Sequence, residues 1–415
     1  MSRAELRHHD GRRPTLAIIG ASLAGAKAAE SAREAGHDGP IILVGDEDAP
    51  PYERPPLSKA VLRGEAEPAS ARVHPEGFYA EHGIEVVTDR VGSVDLAARK
   101  LQLGGGDVIP FDSAVFATGA EPRRLDMRGA DLAGVHYLRN VNDAVRLRDA
   151  IRCASRVAVI GAGWIGSEVT ASARQMGADV VLVEPSRVPL HRVLGDEVGE
   201  VFRRLHADNG VELRLGVGVT ELRGTKTVEG VVLSDGRVEP ADVVVVGIGV
   251  VPRVELAVGA GLTVANGIVV DEHLQASVGG IYAAGDVANA WHPHYGRRIR
   301  VEHWANAANQ GATAGRNATG GAEPYVRLPY FFSDQYDLGA EYVGYSQLGD
   351  AVAIRGDLES REFIAFWHRD GRVTAAMSVN VWDVIEDLKT IVAANTPIDL
   401  ARLTNPDVEL GGLVM

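Results

Sequence analysis

Apolar and polar positions follow two regimes along this chain. Up to about residue 250, short and wholly apolar runs recur among Ala-rich stretches of helical period. Beyond residue 325, apolar and polar residues alternate over short segments. A run of four or five apolar residues bounded by glycine reads as a strand buried on both faces, and alternation as a half-buried antiparallel strand. The first regime predicts strands at 16–19, 41–44, 157–160 and 180–183, with helices opening at Gly25 and Gly166. It also predicts a meander at 85–88, 91–95 and 100–103, a charged amphipathic helix at 142–151 and a hairpin turn at Ser234-Asp-Gly-Arg237. Strands at 267–270 and 280–284 and a helix at 301–318 follow. The second regime predicts strands at 351–355, 363–367 and 373–379, with an Asp370-Gly371 turn between the last two, and a helix at 382–394.

The segment between each first strand and helix is glycine-rich in a set spacing. Gly20-Ala-Ser-Leu-Ala-Gly25 follows the run at 16–19, and Gly161-Ala-Gly-Trp-Ile-Gly166 follows the run at 157–160. Each unit's next strand ends at an acid, Asp46 or Glu184. That order is the dinucleotide fingerprint, in which glycines let backbone amides approach a pyrophosphate at a helix N-terminus and the acid accepts from a ribose diol. Gly20, Ser22 and Gly25, and Gly161, Gly163 and Gly166, are the residues so assigned. Glu47 is an alternative to Asp46. Glu184 would repel a 2′-phosphate and favour NADH, whereas Arg187 could meet one.

A second repeat accompanies the first. Residues 111–123 read FDSAVFATGAEPR and residues 241–253 read ADVVVVGIGVVPR, with Asp112, Gly119, Pro122 and Arg123 matching Asp242, Gly249, Pro252 and Arg253. Two copies of one domain plan account for both repeats. No third fingerprint follows Pro252, so the chain is expected to return and complete the first unit. The fold class is α/β: two Rossmann-like dinucleotide-binding domains of glutathione reductase-like plan, the second inserted in the first, plus a small α+β C-terminal domain. The expected boundaries are a flexible tail at 1–14, a first nucleotide domain at 15–124 and 250–324, a second at 125–249, and the C-terminal domain at 325–415.

Composition narrows the chemistry. The net charge of −14 argues against general nucleic-acid binding. Cys153 is the single cysteine, so neither an internal disulfide nor a Cys-x-x-Cys dithiol can carry electrons, and a bound organic cofactor would have to. No apolar run is long enough to cross a bilayer, and the basic tail lacks the hydrophobic segment of a secretory signal, so a cytoplasmic location is expected. His292, His294 and His303 lack an accompanying carboxylate or cysteine pattern and fit no helical ligand pair, so no metal site is expected.

Four further motifs carry a family resemblance. They are Pro51-Tyr-Glu-Arg-Pro-Pro-Leu-Ser-Lys59, Gly285-Asp286-Val287-Ala288, Val301-Glu-His-Trp-Ala-Asn-Ala-Ala-Asn-Gln-Gly311 and Ser333-Asp-Gln-Tyr336. With the two fingerprints, the chain after Pro14 resembles the FAD-dependent NAD(P)H:ferredoxin reductases of oxygenase systems, the putidaredoxin reductase-like family. The resemblance implies that the first domain binds FAD, the inserted one NADH, and that the C-terminal domain covers the flavin and helps dock a ferredoxin. It implies that Lys59 lies near flavin N5, held by Glu168, and that Arg54, Val91, Thr118, Gly119 and Arg139 also touch FAD. Asp286 would bond the ribityl chain, and Trp304 would open a helix whose N-terminus favours the charge of reduced flavin. Lys59, Glu168 and Trp304 are the implied catalytic residues. Trp164, Ile165, Arg192 and Gly249 would join the glycines and Glu184 at NADH. Phe332 departs from the pattern, since relatives often carry Trp there. Arg297, Arg298 and Arg300 match the place where family members meet ferredoxin and would form a positive patch; a solvated loop is the alternative reading.

The implied activity is hydride transfer from NADH to FAD, then single electrons to a two-iron two-sulfur ferredoxin that serves a cytochrome monooxygenase or a ring-hydroxylating dioxygenase. Disulfide reductases and peroxidases of the same fold place a cysteine near the flavin, and Cys153 is in the wrong segment for that role. A rubredoxin or monodehydroascorbate reductase stays open, as does an NADH-gated interaction protein like apoptosis-inducing factor. Oligomeric state stays open between monomer and homodimer.

Overall fold

The computed structural model describes residues 13–414, so the tail read at 1–14 lies outside the described residues up to position 12. The chain divides into two compact units. One holds the residues up to 53 with 72–120 and 252–327; the other holds 54–71, 121–251 and 328 onward.

In the first unit a five-stranded parallel sheet runs in the order Ile281–Ala283, Ser113–Phe116, Leu16–Ile19, Ile41–Gly45, Ile84–Thr88. Leu16 is opposite Ile41 on one side and Ser113 on the other, and all four residues of its strand are buried. That is why the run carries no polar residue. The edge strand Ile281–Ala283 comes from the returning chain, as the missing third fingerprint implied. The three-stranded meander Val91–Asp95, Lys100–Leu103, Val108–Pro110 packs into the same core through Val94, Leu101 and Ile109.

Helices Leu23–Glu34 and Trp304–Ala318 cross at very close range because their facing positions are small. A Cβ at Gly311 would sit 2.2 Å from the Ala24 carbonyl oxygen, and one at Gly315 would sit 2.1 Å from that of Ala28. The second helix begins at Trp304, three residues later than its apolar pattern implied. Val301 is buried in extended chain, and Asn306 Nδ2 donates to its carbonyl at 3.0 Å, which ends the helix there.

In the second unit the parallel sheet order is Glu212–Leu215, Asp179–Glu184, Arg156–Ile160, Val243–Val246, Val135–His136, with its own antiparallel meander Val219–Gly224, Val228–Leu233, Val238–Pro240. The plan is that of the first unit, except that the far edge strand precedes the fingerprint rather than returning after it. Residues 54–71, read from the sequence as part of the first nucleotide domain, pack here: Leu62 shares a core with Leu147, Ile151 and Val159.

The C-terminal segment forms an antiparallel sheet ordered Tyr330–Gln335, Leu338–Gly344, Arg372–Val379, Glu362–Arg369, Ala351–Asp357. Both faces are covered. Helices Ile385–Ala394 and Leu400–Thr404 pack on one through Leu388, Ile391 and Leu403. Helix His191–Asp208, which kinks at Gly195, packs on the other through Leu194 before the kink and Val198, Val201, Phe202 and Leu205 after it, the last four on one helical face. Trp367 Nε1 donates to the Leu194 carbonyl at 3.2 Å. The segment therefore shares a core with the inserted nucleotide domain, where the sequence suggested a self-contained unit. His206, on the same helix, is fully buried, and burial pushes its imidazole down to about 4, with the Gln335 side chain opposing the shift.

Two expectations follow. Gly315→Val should lower stability by about 1–3 kcal/mol, read as an earlier midpoint in urea, because the Ala28 backbone cannot yield; an unchanged midpoint would refute the close crossing. His206 binds its proton more weakly folded than unfolded, so its contribution is complete above its ordinary value of 6.5 and falls away as pH drops toward 4. The loss is about 3 kcal/mol across that window. Urea unfolding at stepped pH should show it, and His206→Leu should flatten the slope there.

Candidate functional site

Each parallel sheet ends in a cradle formed by a tight turn and a helix N-terminus. Gly20 and Gly161 take φ of +119° and +95°, conformations open to glycine. Gly20 N donates to Val44 O at 2.7 Å and Gly161 N to Val183 O at 2.8 Å, so the two turns are superimposable in kind. A Cβ at Gly25 would lie 2.0 Å from the Gly20 carbonyl oxygen, and one at Gly166 would lie 1.9 Å from that of Gly161. Helix and turn approach as closely as backbones can.

The middle fingerprint position behaves differently. A Cβ at Gly163 would meet nothing within 4 Å, and Ser22 carries one at the equivalent place. The protein itself does not need glycine there, so the open space faces outward. Neither Ser22 nor Gly163 caps its helix with a side chain. The first-turn amides of helices Leu23–Glu34 and Trp164–Gln175 are thus left without a side-chain acceptor, the arrangement that suits a pyrophosphate.

The acids differ between the units. Glu184 is the last residue of its strand and accepts from Ala162 N at 2.8 Å and Ser186 N at 2.9 Å. The first unit has Gly45 at the matching register, where a Cβ would lie 2.5 Å from that of Ala21. Its acid is displaced to Asp46, half-exposed and 3.0 Å from the Arg253 guanidinium. Burial raises the Asp46 carboxyl, but the Arg253 hydrogen bond and charge outweigh it and hold it below its ordinary value. Glu47, the alternative acid, accepts from the Tyr52 hydroxyl. Arg253 also accepts from Thr118 Oγ1 at its carbonyl, at 2.7 Å, and donates from its amide to Gly119 O at 3.0 Å. Nothing local in the sequence marks Arg253 for this part; its place in the second repeat is the one signal it carries.

Asp286 sits on a one-turn helix, Gly285–Val287, which buried Gln310 fixes by accepting from Gly285 N at 3.0 Å. Trp304 opens its helix, and His303 before it supplies no side-chain cap. Val91 is buried in the core of the first unit.

In the second unit, Lys59 and Glu168 meet at 2.9 Å, with side chains 13% and 5% exposed. Helix Trp164–Gln175 is buried along most of its length, which is how a glutamate comes to lie inside. Its carboxylate also accepts from Ser58 Oγ at 2.5 Å and Ser333 Oγ at 2.8 Å. Lys59 Nζ lies 5.7 Å from the Phe332 ring centroid, so the phenylalanine still offers an aromatic face to the cation. Ser172 Oγ donates to Ser58 O at 2.6 Å and ties the Pro-rich segment to the helix. Arg54 donates to the Arg139 carbonyl, next to the capping box that Asn140 and Asp143 form.

The remaining candidates scatter by role. Trp164 is half-buried and packs edge-on against Phe202 and Phe331 at 5.9 and 4.7 Å, at the margin of the core that helix His191–Asp208 forms with the C-terminal sheet. Ile165, Arg192 and Gly249 are exposed, and Gly249 has φ +97°. Arg187, which could have met a 2′-phosphate, pairs with Asp196 at 3.0 Å. Arg300 is largely covered, 2.6 Å from Glu302 and donating to Asp286 O at 3.1 Å. Arg298 is exposed and donates to the Val270 carbonyl. His292 is buried with Nε2 3.0 Å from Arg327 O, and burial lowers its pKa. Cys153 ends helix Val141–Cys153, exposed and free.

Residues 14–311 match the family described as pyridine nucleotide-disulphide oxidoreductase, and residues 330–414 match a reductase C-terminal domain. Among known proteins, the rhodocoxin reductase of Rhodococcus erythropolis is 37% identical over 95% of this chain and 93% of its own. The ferredoxin–NAD(+) reductase component of the anthranilate 1,2-dioxygenase system of Burkholderia cepacia is 38% identical over 95% and 97%. Among solved structures, the covalent putidaredoxin reductase–putidaredoxin complex matches with a TM-score of 0.93 and 34% identity, over 96% of this chain and 98% of that one.

Removing the shared acceptor should be costly. Glu168→Ala strands Lys59, Ser58 and Ser333 and should lower stability by about 3–5 kcal/mol in urea unfolding. Glu168→Gln, which keeps an acceptor oxygen, should cost less. Equal losses for the two variants would contradict the account.

Proposed function

The chain belongs to the pyridine nucleotide-disulphide oxidoreductase family, and from that premise we propose that it is a cytoplasmic, FAD-containing reductase that draws electrons from NADH and delivers them to a two-iron two-sulfur ferredoxin of an oxygenase system. The observation that carries this reading is the same nucleotide cradle built twice, once in each unit, each with a tight glycine turn and a helix N-terminus that no N-cap side chain closes. The ferredoxin reductase names of the relatives support the choice of electron acceptor. The single cysteine leaves no pair for disulfide exchange, despite the family's description.

The residues present fit the two nucleotides. Gly20, Ser22 and Gly25 would let the first helix's amides hold the FAD pyrophosphate, with Asp46 or Glu47 at its ribose, and Asp286 and the Trp304 amide toward the flavin end. Val91, Thr118, Gly119, Arg54 and Arg139 complete the proposed FAD set. Gly161, Gly163 and Gly166 would hold the NADH pyrophosphate, with Glu184 at the adenosine ribose and Trp164, Ile165, Arg192 and Gly249 around it. When bound, FAD accepts an electron pair from a reduced nicotinamide and releases electrons one at a time.

The chain's own contribution is orientation and charge. Two uncapped helix N-termini bind pyrophosphates, and a third helix, opening at Trp304, stabilises negative charge at its end. The Lys59 ammonium, held by Glu168, serves the bound flavin as a fixed cation where negative charge develops. Glu184, already engaged by two backbone amides, can still accept from a ribose hydroxyl but disfavours a 2′-phosphate. Of the three arginines at 297–300, Arg298 is the exposed one, with one guanidinium N–H donated to the Val270 carbonyl, and is the proposed contact for an acidic ferredoxin; Arg297 and Arg300 play a supporting part.

Two measurements test this. Glu184→Ala should raise the NADPH-to-NADH ratio of kcat/KM by about 10-fold, from lost repulsion and a lost hydrogen bond; a wild type that already prefers NADPH would defeat the ribose assignment. Arg298→Glu should raise the KM for ferredoxin several-fold at low salt and much less at high salt, with NADH-driven reduction of ferricyanide unchanged. Salt-independent or absent effects would remove Arg298 from the docking face.

A further inference from the structure

A line of buried polar groups runs through the second unit toward Glu168. Strand Tyr330–Gln335 alternates, so Phe331, Ser333 and Gln335 share its inward side while Asp334 faces solvent. Ser333 Oγ donates to Glu168 Oε1 at 2.8 Å, and Gln335 Nε2 donates to Ser333 Oγ at 3.3 Å. His206 Nδ1 lies 3.4 Å from the Tyr336 hydroxyl, and Gln335 is the side chain that opposes the burial shift of the His206 imidazole. Ser333, Gln335 and His206 are each at most 1% exposed. Two buried atoms of this group, His206 Nε2 and Gln335 Oε1, have no partner within hydrogen-bonding geometry.

The donors and acceptors then sort themselves in one direction. Glu168 as a carboxylate only accepts, so Ser333 donates to it and must accept from the Gln335 amide. The Gln335 carbonyl is then the acceptor available to an Nε2–H of His206, and burial keeps that imidazole neutral at pH 7. Nδ1 is then an acceptor for the Tyr336 O–H. Tyr336 itself has φ +56°, a left-handed conformation that aromatic residues rarely adopt. Tyr336 and Asp337 form the two-residue hairpin loop between paired Gln335 and Leu338, and such a turn calls for a positive φ there. Every dipole from Tyr336 to Ser333 points at the Glu168 carboxylate, and aligned hydrogen bonds of this sort polarise one another in a water-free interior.

We propose that His206 and Gln335 are positioning residues for the Lys59–Glu168 ion pair: they align Ser333, hold the Glu168 carboxylate in one orientation as an anion, and so fix where the Lys59 ammonium sits. This rests on the reading above that the pair serves the bound flavin. His206 acts some four groups away from Lys59 and touches no nucleotide in this role. Loss of one such bond should be felt as less precise placement of the cation, not as loss of NADH binding.

The test uses the FAD-loaded protein and two readouts. With imidazole nitrogens labelled, the His206 signal should report a neutral Nε2–H tautomer, and Ser333→Ala should shift it although it lies beyond Gln335. Rapid-mixing reduction by NADH should show a limiting rate about 3- to 10-fold lower in Gln335→Met and His206→Leu, with NADH affinity unchanged, and most of the rate restored in His206→Gln. Lys59→Met is the reference. If it slows reduction while Gln335→Met and His206→Leu do not, and the His206 signal ignores Ser333→Ala, the positioning role is overturned and the flavin reading stands. If Lys59→Met leaves the rate unchanged, the flavin reading falls first and takes the proposal with it. A protonated His206 or the Nδ1–H tautomer at neutral pH would also overturn it.

Discussion

Two backbone contacts set the terms for everything else. The α-carbons of Gly25 and Gly166 lie so close to the carbonyl oxygens of Gly20 and Gly161 that no side chain could stand between them. That closeness aims each helix N-terminus along the end of its central strand, with the middle fingerprint position open and no side chain capping the turn. A helix end left in that condition is a place of concentrated positive potential. The two units differ in how they complete it: the second puts a glutamate at the strand end, whereas the first puts Gly45 there under Ala21 and moves its acid one residue on.

Much of this was readable along the chain because local patterns carried it. The strand Leu16–Ile19 is buried on both faces, so its wholly apolar composition announced it, and the two fingerprints named their own cradles. The returning strand Ile281–Ala283 could be inferred from a domain plan that lacked its last member. The Lys59–Glu168 pair was legible through the family resemblance, and the structure brings the two together.

What stayed hidden depends on residues far apart in sequence. The donors that complete Glu168 are 110 and 165 positions away, at Ser58 and Ser333, and serine carries no local signal of such a role. The core that joins helix His191–Asp208 to the C-terminal sheet sets Phe202 and Leu205 with Phe363 and Trp367, a pairing across sequence that no local pattern announces. Arg253 looked like the end of a repeat and is the partner of Asp46. Arg300 looked like one of three surface cations and is covered by Glu302. In each case a tertiary partner decided a residue's part, and periodicity cannot report a partner.

In the proposed function each unit holds one dinucleotide, and only one of the two is retained as a prosthetic group. Anaerobic titration of the purified protein with NADH, followed by absorbance, tests it most directly. The expected result is a yellow protein carrying one FAD per chain that is fully bleached by one equivalent of NADH. A protein that stays colourless after reconstitution with FAD, or whose bound flavin does not respond to NADH, would contradict it.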